Sequence, residues 1–320
     1  MDSGEKKFKI DFKKLSEGVD LIHRAATEGK GVFEGGSEVW RPKYLPQWNV
    51  PSDDPLWMRR FLYAEDFIEK RGVSRFYAKM IRSVWENPKT RWFFDPYEVA
   101  GAKTADIEYI IKDEIHNNLR KQGELSPAER YKINAQTLVA KYSGDPGNAV
   151  NGLTVEKAMA NLMEFENFGP GLAALLIVYY LDRELVRVEN PEDALLKVDT
   201  HKSRIPINIG AVKPLNGTTH IHPTTLVEPL TRAYQRICRE RKYSPIMMND
   251  CLWVVGSEVC AKRSFEACMR YCPLASAGIC KKNVPLAHPD KEKGGYFHTN
   301  KETRRGMEQG YFDKLHRQMF

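Results

Sequence analysis

Four of the six cysteines, Cys260, Cys268, Cys272 and Cys280, fall in one short window with the spacing C-x7-C-x3-C-x7-C. That crowding constrains the fold more than any other feature. Four soft sulfurs so close in sequence can converge on one tetrahedral or cuboidal centre, either iron–sulfur or zinc. Zinc sites usually come as paired C-x2–4-C knuckles, and this single loop lacks that two-plus-two pattern. The plain alternative is four buried free thiols. Cys238 and Cys251 lie outside the window on helical segments and read as core residues.

Crowded cysteines have a different meaning in a reducing compartment than in a secreted chain. The N-terminus, Met1 to Lys7, leads into a Lys-rich polar stretch without an apolar h-region, so no secretory signal is expected. The most apolar run, Leu172 to Leu181, is closed off by Asp182, Arg183 and Glu184. It is shorter than the ~18 apolar residues of a membrane span and reads as a buried helix. An intracellular protein is expected. With 320 residues, 42% hydrophobic and 28% charged, the chain has ample material for a core and is not of disordered composition. Its 49 Lys and Arg against 42 Asp and Glu leave a net charge of +7, which permits a polyanionic partner.

The apolar spacing predicts a mostly α fold. Residues 1–54, punctuated by Gly29, Gly31, Gly35, Gly36, Pro42, Pro46 and Pro51, read as an extended N-terminal arm. Asp53-Asp54-Pro55 resembles a helix start. Helical spacing then runs from Leu56 to Trp85, with a break at Gly72. Further helices are expected over Thr104–Leu119, Pro127–Tyr142, Thr154–Phe165, Leu172–Asp182, Pro223–Arg239 and Pro245–Val255. Ser126-Pro127-Ala128-Glu129 carries a capping-box pattern. The best strand signal is Leu185–Val188. The catalytic region is expected over 55–280, and 281–320 reads as a basic tail, most simply a solvated one.

Two further motifs carry chemistry. Asn167-Phe168-Gly169-Pro170-Gly171 sits between two apolar helices, where a bare turn and a helix N-terminus suit a phosphate oxygen. Such turns also merely join helices. Val198-Asp199-Thr200-His201 places an acid at a helix start, either as an N-cap or as a carboxylate facing a cleft.

The order of these motifs, a Gly-x-Gly helical hairpin, then V-D-T-H, then a four-cysteine loop, resembles the helix-hairpin-helix (HhH-GPD) DNA glycosylase superfamily. The resemblance is to its iron–sulfur branch, typified by endonuclease III and the adenine-mismatch glycosylase. It covers about residues 56–280. Arg204, Ile205 and Gly210 sit where that family's Asp-bearing helix has Arg, a β-branched residue and Gly. Asp250-Cys251-Leu252-Trp253 and Gly256 look like the family's approach to its cluster.

The resemblance implies a two-lobed helical enzyme with DNA as partner, no membrane association and a monomeric state. It implies a 4Fe–4S cluster on Cys260, Cys268, Cys272 and Cys280, ahead of zinc. Asp199 would stabilise an oxocarbenium-like sugar or activate water as a flipped-out base leaves. Gly169 and Gly171, with Lys202 and Arg204, would hold DNA phosphate. Lys262, Arg263 and Arg270 would be ordered against DNA by the cluster loop. Glu65 and Asp66 would line the base pocket and act there, although a solvated acidic helix face explains each as simply.

The sequence also departs from the family. Bifunctional members carry a lysine two residues after the hairpin's second glycine; here that residue is Ala173, which cannot form a Schiff base. The implied activity is therefore monofunctional excision. The cysteine spacing is looser than the family's C-x6-C-x2-C-x5-C, and an insertion is expected around Leu185–Asp193. The stretch from Ser52 to Phe61 is also similar to phage-encoded glycosylase-like proteins thought to attach amines or amino acids to activated hydroxymethyluracil in DNA. In that reading Asp199 deprotonates the amine. A non-catalytic DNA-binding protein reusing the fold is the third reading.

Overall fold

The computed structural model describes residues 8–68, 74–117, 125–215, 223–260 and 265–280, and these are mostly helical. Local chemistry explains many of the helix starts. Ser126 accepts from the Glu129 backbone N–H while the Glu129 carboxylate accepts from the Ser126 N–H at 2.6 Å, starting the helix Pro127–Tyr142. Asp54 accepts from the N–H groups of Leu56 and Trp57 at the head of Pro55–Ile68. Thr154 caps Val155–Leu162, and Ser244 caps Pro245–Val254.

The described residues form two compact units. One is continuous, Leu45–Lys197. The other is assembled from both ends of the chain, Met1–Tyr44 with Val198–Phe320. The region expected over 55–280 runs across the boundary between them. The break falls inside that range because the first 44 residues pack with the segments that follow Val198.

In the continuous unit the central element is Pro170–Asp182. Every residue from Leu172 to Tyr180 is buried, so the helix is apolar all round rather than on one stripe. Each fully buried Leu, Ile or Val there contributes about 1.5–3 kcal/mol relative to exposure. Pro55–Ile68 and Val155–Leu162 pack against it, Ser74–Glu86 packs on Pro55–Ile68, and Pro96–Gly101 packs on Pro127–Tyr142. Phe61, Trp85, Phe93, Phe94 and Tyr131 form a connected aromatic core. Arg59 spans to Asp145 through two hydrogen bonds of 2.8 and 2.5 Å, fixing the start of one helix to the loop after another.

Two details in this unit differ from expectation. The Thr104 helix passes at Ile110 into a wider turn, Ile110–Glu114, and Leu119 lies outside the described residues. Gly72 also lies outside them. Leu185–Val188 forms no strand; it contributes only a bridge between Leu153 and Val188.

In the second unit the expected arm is instead built structure. Phe12–Thr27 is a helix capped by Asp11, burying Leu15, Val19, Ile22 and Ala26. It packs on Thr200–Asn208, Pro223–Arg241, Pro245–Val254 and Pro273–Ser276. The His23 and Tyr243 rings stack at 3.7 Å, and the Tyr243 hydroxyl donates to Asp20 at 3.0 Å. Phe8–Ile10 pairs antiparallel with Val212–Pro214, a short ladder that the sequence did not announce. Gly31, at φ +63°, stands so close to the Tyr271 carbonyl that a Cβ would lie 2.6 Å from its oxygen. Glycine is required there for both reasons, and the contact ties the N-terminal segment to the cysteine window.

Candidate functional site

Asp199 is the N-cap of Thr200–Asn208, as the plain reading of V-D-T-H expects. Its backbone is extended, and its Oδ1 accepts from the Lys202 N–H at 2.9 Å. An Asp in this position typically stabilises a helix by about 0.5–2 kcal/mol over Ala. The carboxylate is half-buried, so capping and chemistry are compatible.

The rest of this helix is unusual in what it buries. Pro206 lies inside it and cannot donate to the Lys202 carbonyl one turn back. The Tyr234 hydroxyl fills that place, donating to Lys202 O at 3.2 Å. Lys202 itself is only 1% exposed, and its Nζ donates to Asn249 Oδ1 at 2.5 Å. Asn249 in turn donates to Asp250 Oδ1 at 3.3 Å. Lys202 was expected on DNA phosphate; its ammonium is instead turned into the core of its unit, where a phosphate does not reach.

Arg204, expected on phosphate too, is also turned inward. Its Nη1 donates to His201 Nδ1 at 3.1 Å, and Asp199 and Cys260 lie within its electrostatic reach. Burial pulls the guanidinium below its ordinary value while those two neighbours oppose the shift. Because arginine can only donate, His201 Nδ1 is the acceptor and the ring proton belongs on Nε2. Burial lowers the His201 pKa, with Asp199 opposing. The ring meets Trp253 edge-on at 6.0 Å. Gly256 permits this arrangement, since a Cβ there would stand 2.4 Å from the His201 carbonyl oxygen.

The four window cysteines are all buried, at 2–7% exposure, and none is in a disulfide. Cys272 and Cys280 flank the short helix Pro273–Ser276, and Cys268 lies in Phe265–Tyr271. Burial pushes the Cys260 thiol well up, and Cys272, Cys280 and Cys268 push it further. Burial raises Cys272 to about 11 and Cys280 to about 12. As bare thiols they are neutral at pH 7, and a cation is what would make thiolates stable there. Among the described residues no three His, Cys, Asp or Glu side chains are set around a single ion. The donor set, four buried sulfurs without imidazole or carboxylate, suits an iron–sulfur cluster or zinc. Cys238 and Cys251 are core residues as expected, at 2% and 0% exposure.

In the continuous unit the Gly-x-Gly turn is held from behind. Asn134, fully buried, donates to the Glu166 carbonyl at 2.9 Å and accepts from the Glu166 N–H at 2.7 Å. Asn167 takes a left-handed backbone at φ 74° and accepts from Arg130 Nη1 at 3.3 Å. Phe168 stacks on Tyr63 at 5.0 Å. Gly169, Pro170 and Gly171 are exposed, and a Cβ on either glycine would meet nothing within 4 Å. Packing therefore gives no reason for glycine at either position. Ala173 is fully buried in the following helix.

Glu65 and Asp66 are buried, at 2% and 0%, in the interior of this unit. A solvated acidic face is thereby excluded. Asp66 lies within electrostatic reach of the buried Tyr63 and Tyr180 hydroxyls, whose pKa values burial and this charge raise. Arg270 is exposed beside Tyr271, whereas Lys262, Arg263 and the tail 281–320 lie outside the described residues. Among the described residues no helix is long and apolar enough to cross a membrane. Asn134 and Asn208 were not singled out by the sequence, because a lone Asn carries no motif. No protein-family model matches the chain, and no curated protein sequence matches it.

Proposed function

We propose that the protein is a DNA-base-acting enzyme of the helix-hairpin-helix, iron–sulfur type, and that it removes a base without cutting the strand. The observation that carries this reading is one helix: it begins at Asp199, a half-buried carboxylate, and ends at Asn208, whose carbonyl lies 4.0 Å from the buried Cys280 thiol. The hairpin supports it independently, since a rigidly backed turn with two bare glycines offers close approach to something outside the protein.

In this reading the target nucleotide leaves the helical stack, and Asp199 faces the positive charge that develops on the sugar or holds the attacking water. The Lys202 N–H bond fixes one carboxylate oxygen in place. The turn at Gly169 and Gly171 contacts backbone phosphate and supplies position rather than sequence preference. Cys260, Cys268, Cys272 and Cys280 would hold the cluster, which when bound ties four points of the loop to one centre. With Ala173 buried where a lyase lysine would stand, no Schiff base forms at that position. The similarity of the Asp53-Asp54-Pro55 stretch to phage transferases has a local explanation, because Asp54 caps the helix it opens. Excision is therefore preferred to group transfer.

Nucleoside mass spectrometry on duplex DNA carrying mismatched or modified bases, with and without an amine donor, tests the proposal. Free base plus abasic sites are expected, falling about 10²–10³-fold or more in Asp199→Asn. Asn is nearly as good an N-cap as Asp, so the thermal midpoint of that variant should barely move. A heavier thymidine derivative that requires the amine would replace excision by transfer. DNA binding with neither product from any substrate would leave a binding protein.

A further inference from the structure

The continuous unit holds an open cavity of about 810 Å³ whose wall includes none of the motif residues. Three successive segments enclose it: the stretch from Asn87 into Arg91–Phe94, the helix Pro96–Gly101, and the run from Thr104 to Glu114. Its wall carries three aromatic rings, Trp92, Tyr97 and Tyr109. The two tyrosines are 52% and 54% exposed, whereas Phe93 and Phe94, next to Trp92 in the chain, are buried. Both tyrosine rings are nevertheless held in place. Tyr97 packs on the Gly144 backbone so closely that a Cβ there would strike the ring. The Tyr109 hydroxyl donates to Glu114 Oε1 at 2.9 Å. An aromatic surface that is bare yet already fixed loses little rotamer freedom when a partner covers it.

The charges around these rings indicate what would cover them. Glu98, Asp106 and Glu114 line the cavity against a single cation, Lys89. The ion pairs of this unit engage other acids, such as Glu86, Glu108 and Glu164, and among the described residues Glu98 and Asp106 have no cationic partner. The chain as a whole carries +7, so this acidic wall runs against the overall charge. Exposed aromatic faces beside carboxylates suit a guanidinium, a flat cation that stacks on a ring and donates to a carboxylate in a fixed fork. A small free amine would touch one side of so wide an opening, whereas a chain bearing several such groups reaches all three segments. We infer that this cavity docks an arginine-bearing segment of a partner protein, its guanidinium groups stacking on Tyr97 and Tyr109 and pairing with Glu98 and Asp106. Base excision, as proposed above, does not depend on it.

The full chain is titrated into a fluorescein-labelled peptide whose arginines are spaced by glycine and serine, and anisotropy is read at low salt. Saturable binding is expected, and none to a peptide with glutamate in place of arginine. Glu98→Gln combined with Asp106→Asn should weaken binding about tenfold. Tyr97→Ala should weaken it about fivefold. Both carboxylates are exposed, so the thermal midpoint of the double variant should hold. If Tyr97→Ala does not fold, Tyr109→Ala carries the same test. Undiminished binding in the folded variants places the peptide elsewhere and overturns the site. Spermine that binds as tightly as the arginine peptide makes the ligand a free polyamine and overturns the protein partner. A wild-type chain that does not bind the arginine peptide overturns the inference outright.

Discussion

The two places that the motifs mark are built on opposite plans. In the unit assembled from both chain ends, the polar groups turn inward. Lys202 bonds Asn249, Arg204 bonds His201, and the Asn208 carbonyl faces the Cys280 thiol. In the continuous unit, the turn at Gly169 to Gly171 faces outward and carries no side chain beyond Pro170, while Asn134, Arg130 and Phe168 brace it from behind. The first place is made to hold charges and soft donors at fixed positions in a low dielectric. The second leaves a bare stretch of backbone open on its outer side. The contrast teaches that basic residues just after an acidic helix cap need not face outward.

Lys202 offers the largest effect by which to break this contrast. Lys202→Ala should cost about 1–3 kcal/mol for the stranded Asn249 acceptor alone, and more for the lost stem, as read by denaturant unfolding. The slope of log affinity for DNA against log salt should not change. A lysine on phosphate would instead lower that slope by roughly 0.9.

Gly171→Ala sharpens the comparison from the other side. With open space around the position, Ala should leave the fold intact or stabilise the helix by up to about 1 kcal/mol. DNA affinity should nevertheless fall, about tenfold if the methyl group blocks one close phosphate contact. A more stable variant with unchanged affinity would make the turn a mere connector.

The smallest effect belongs to His201. Its folded pKa is depressed by burial, against the pull of Asp199 and Glu258 and with the push of Arg204. The stability it contributes is therefore complete above the ordinary imidazole value of about 6.5 and is lost as pH falls through the lower folded value. His201→Gln should flatten the decline in thermal midpoint below that pH. An unchanged decline would place the sensitive group elsewhere.

Much of the helical layout was legible because its signals are local. Ser126 with Glu129, Asp54 before Pro55, and Asp199 before Thr200 each act within three residues, so adjacent letters suffice. The N-terminal helix carried such a signal as well, with Asp11 as cap and Leu15, Val19 and Ile22 at helical spacing. The Gly and Pro residues from 29 to 51 outweighed it and made the whole stretch read as an arm. What remained illegible depends on partners far along the chain. Lys202 looks solvent-bound until Asn249 and Tyr234 are brought to it. Asn208 reads as an ordinary polar residue until packing buries it beside Cys280. The burial of Glu65 and Asp66 likewise follows from packing against helices that the sequence does not order in space.

The placement of residues 45–197 between two halves of one unit has a consequence for biosynthesis. As the chain emerges, Phe12–Thr27 precedes the helices Thr200–Asn208, Pro223–Arg241, Pro245–Val254 and Pro273–Ser276, against which it packs. At about 5–20 residues per second, its apolar face waits roughly 10–30 s while the continuous unit is made and folds. A helix made before the continuous unit therefore finds its place only after it, and for that interval Leu15, Val19 and Ile22 are surface that a chaperone can grasp.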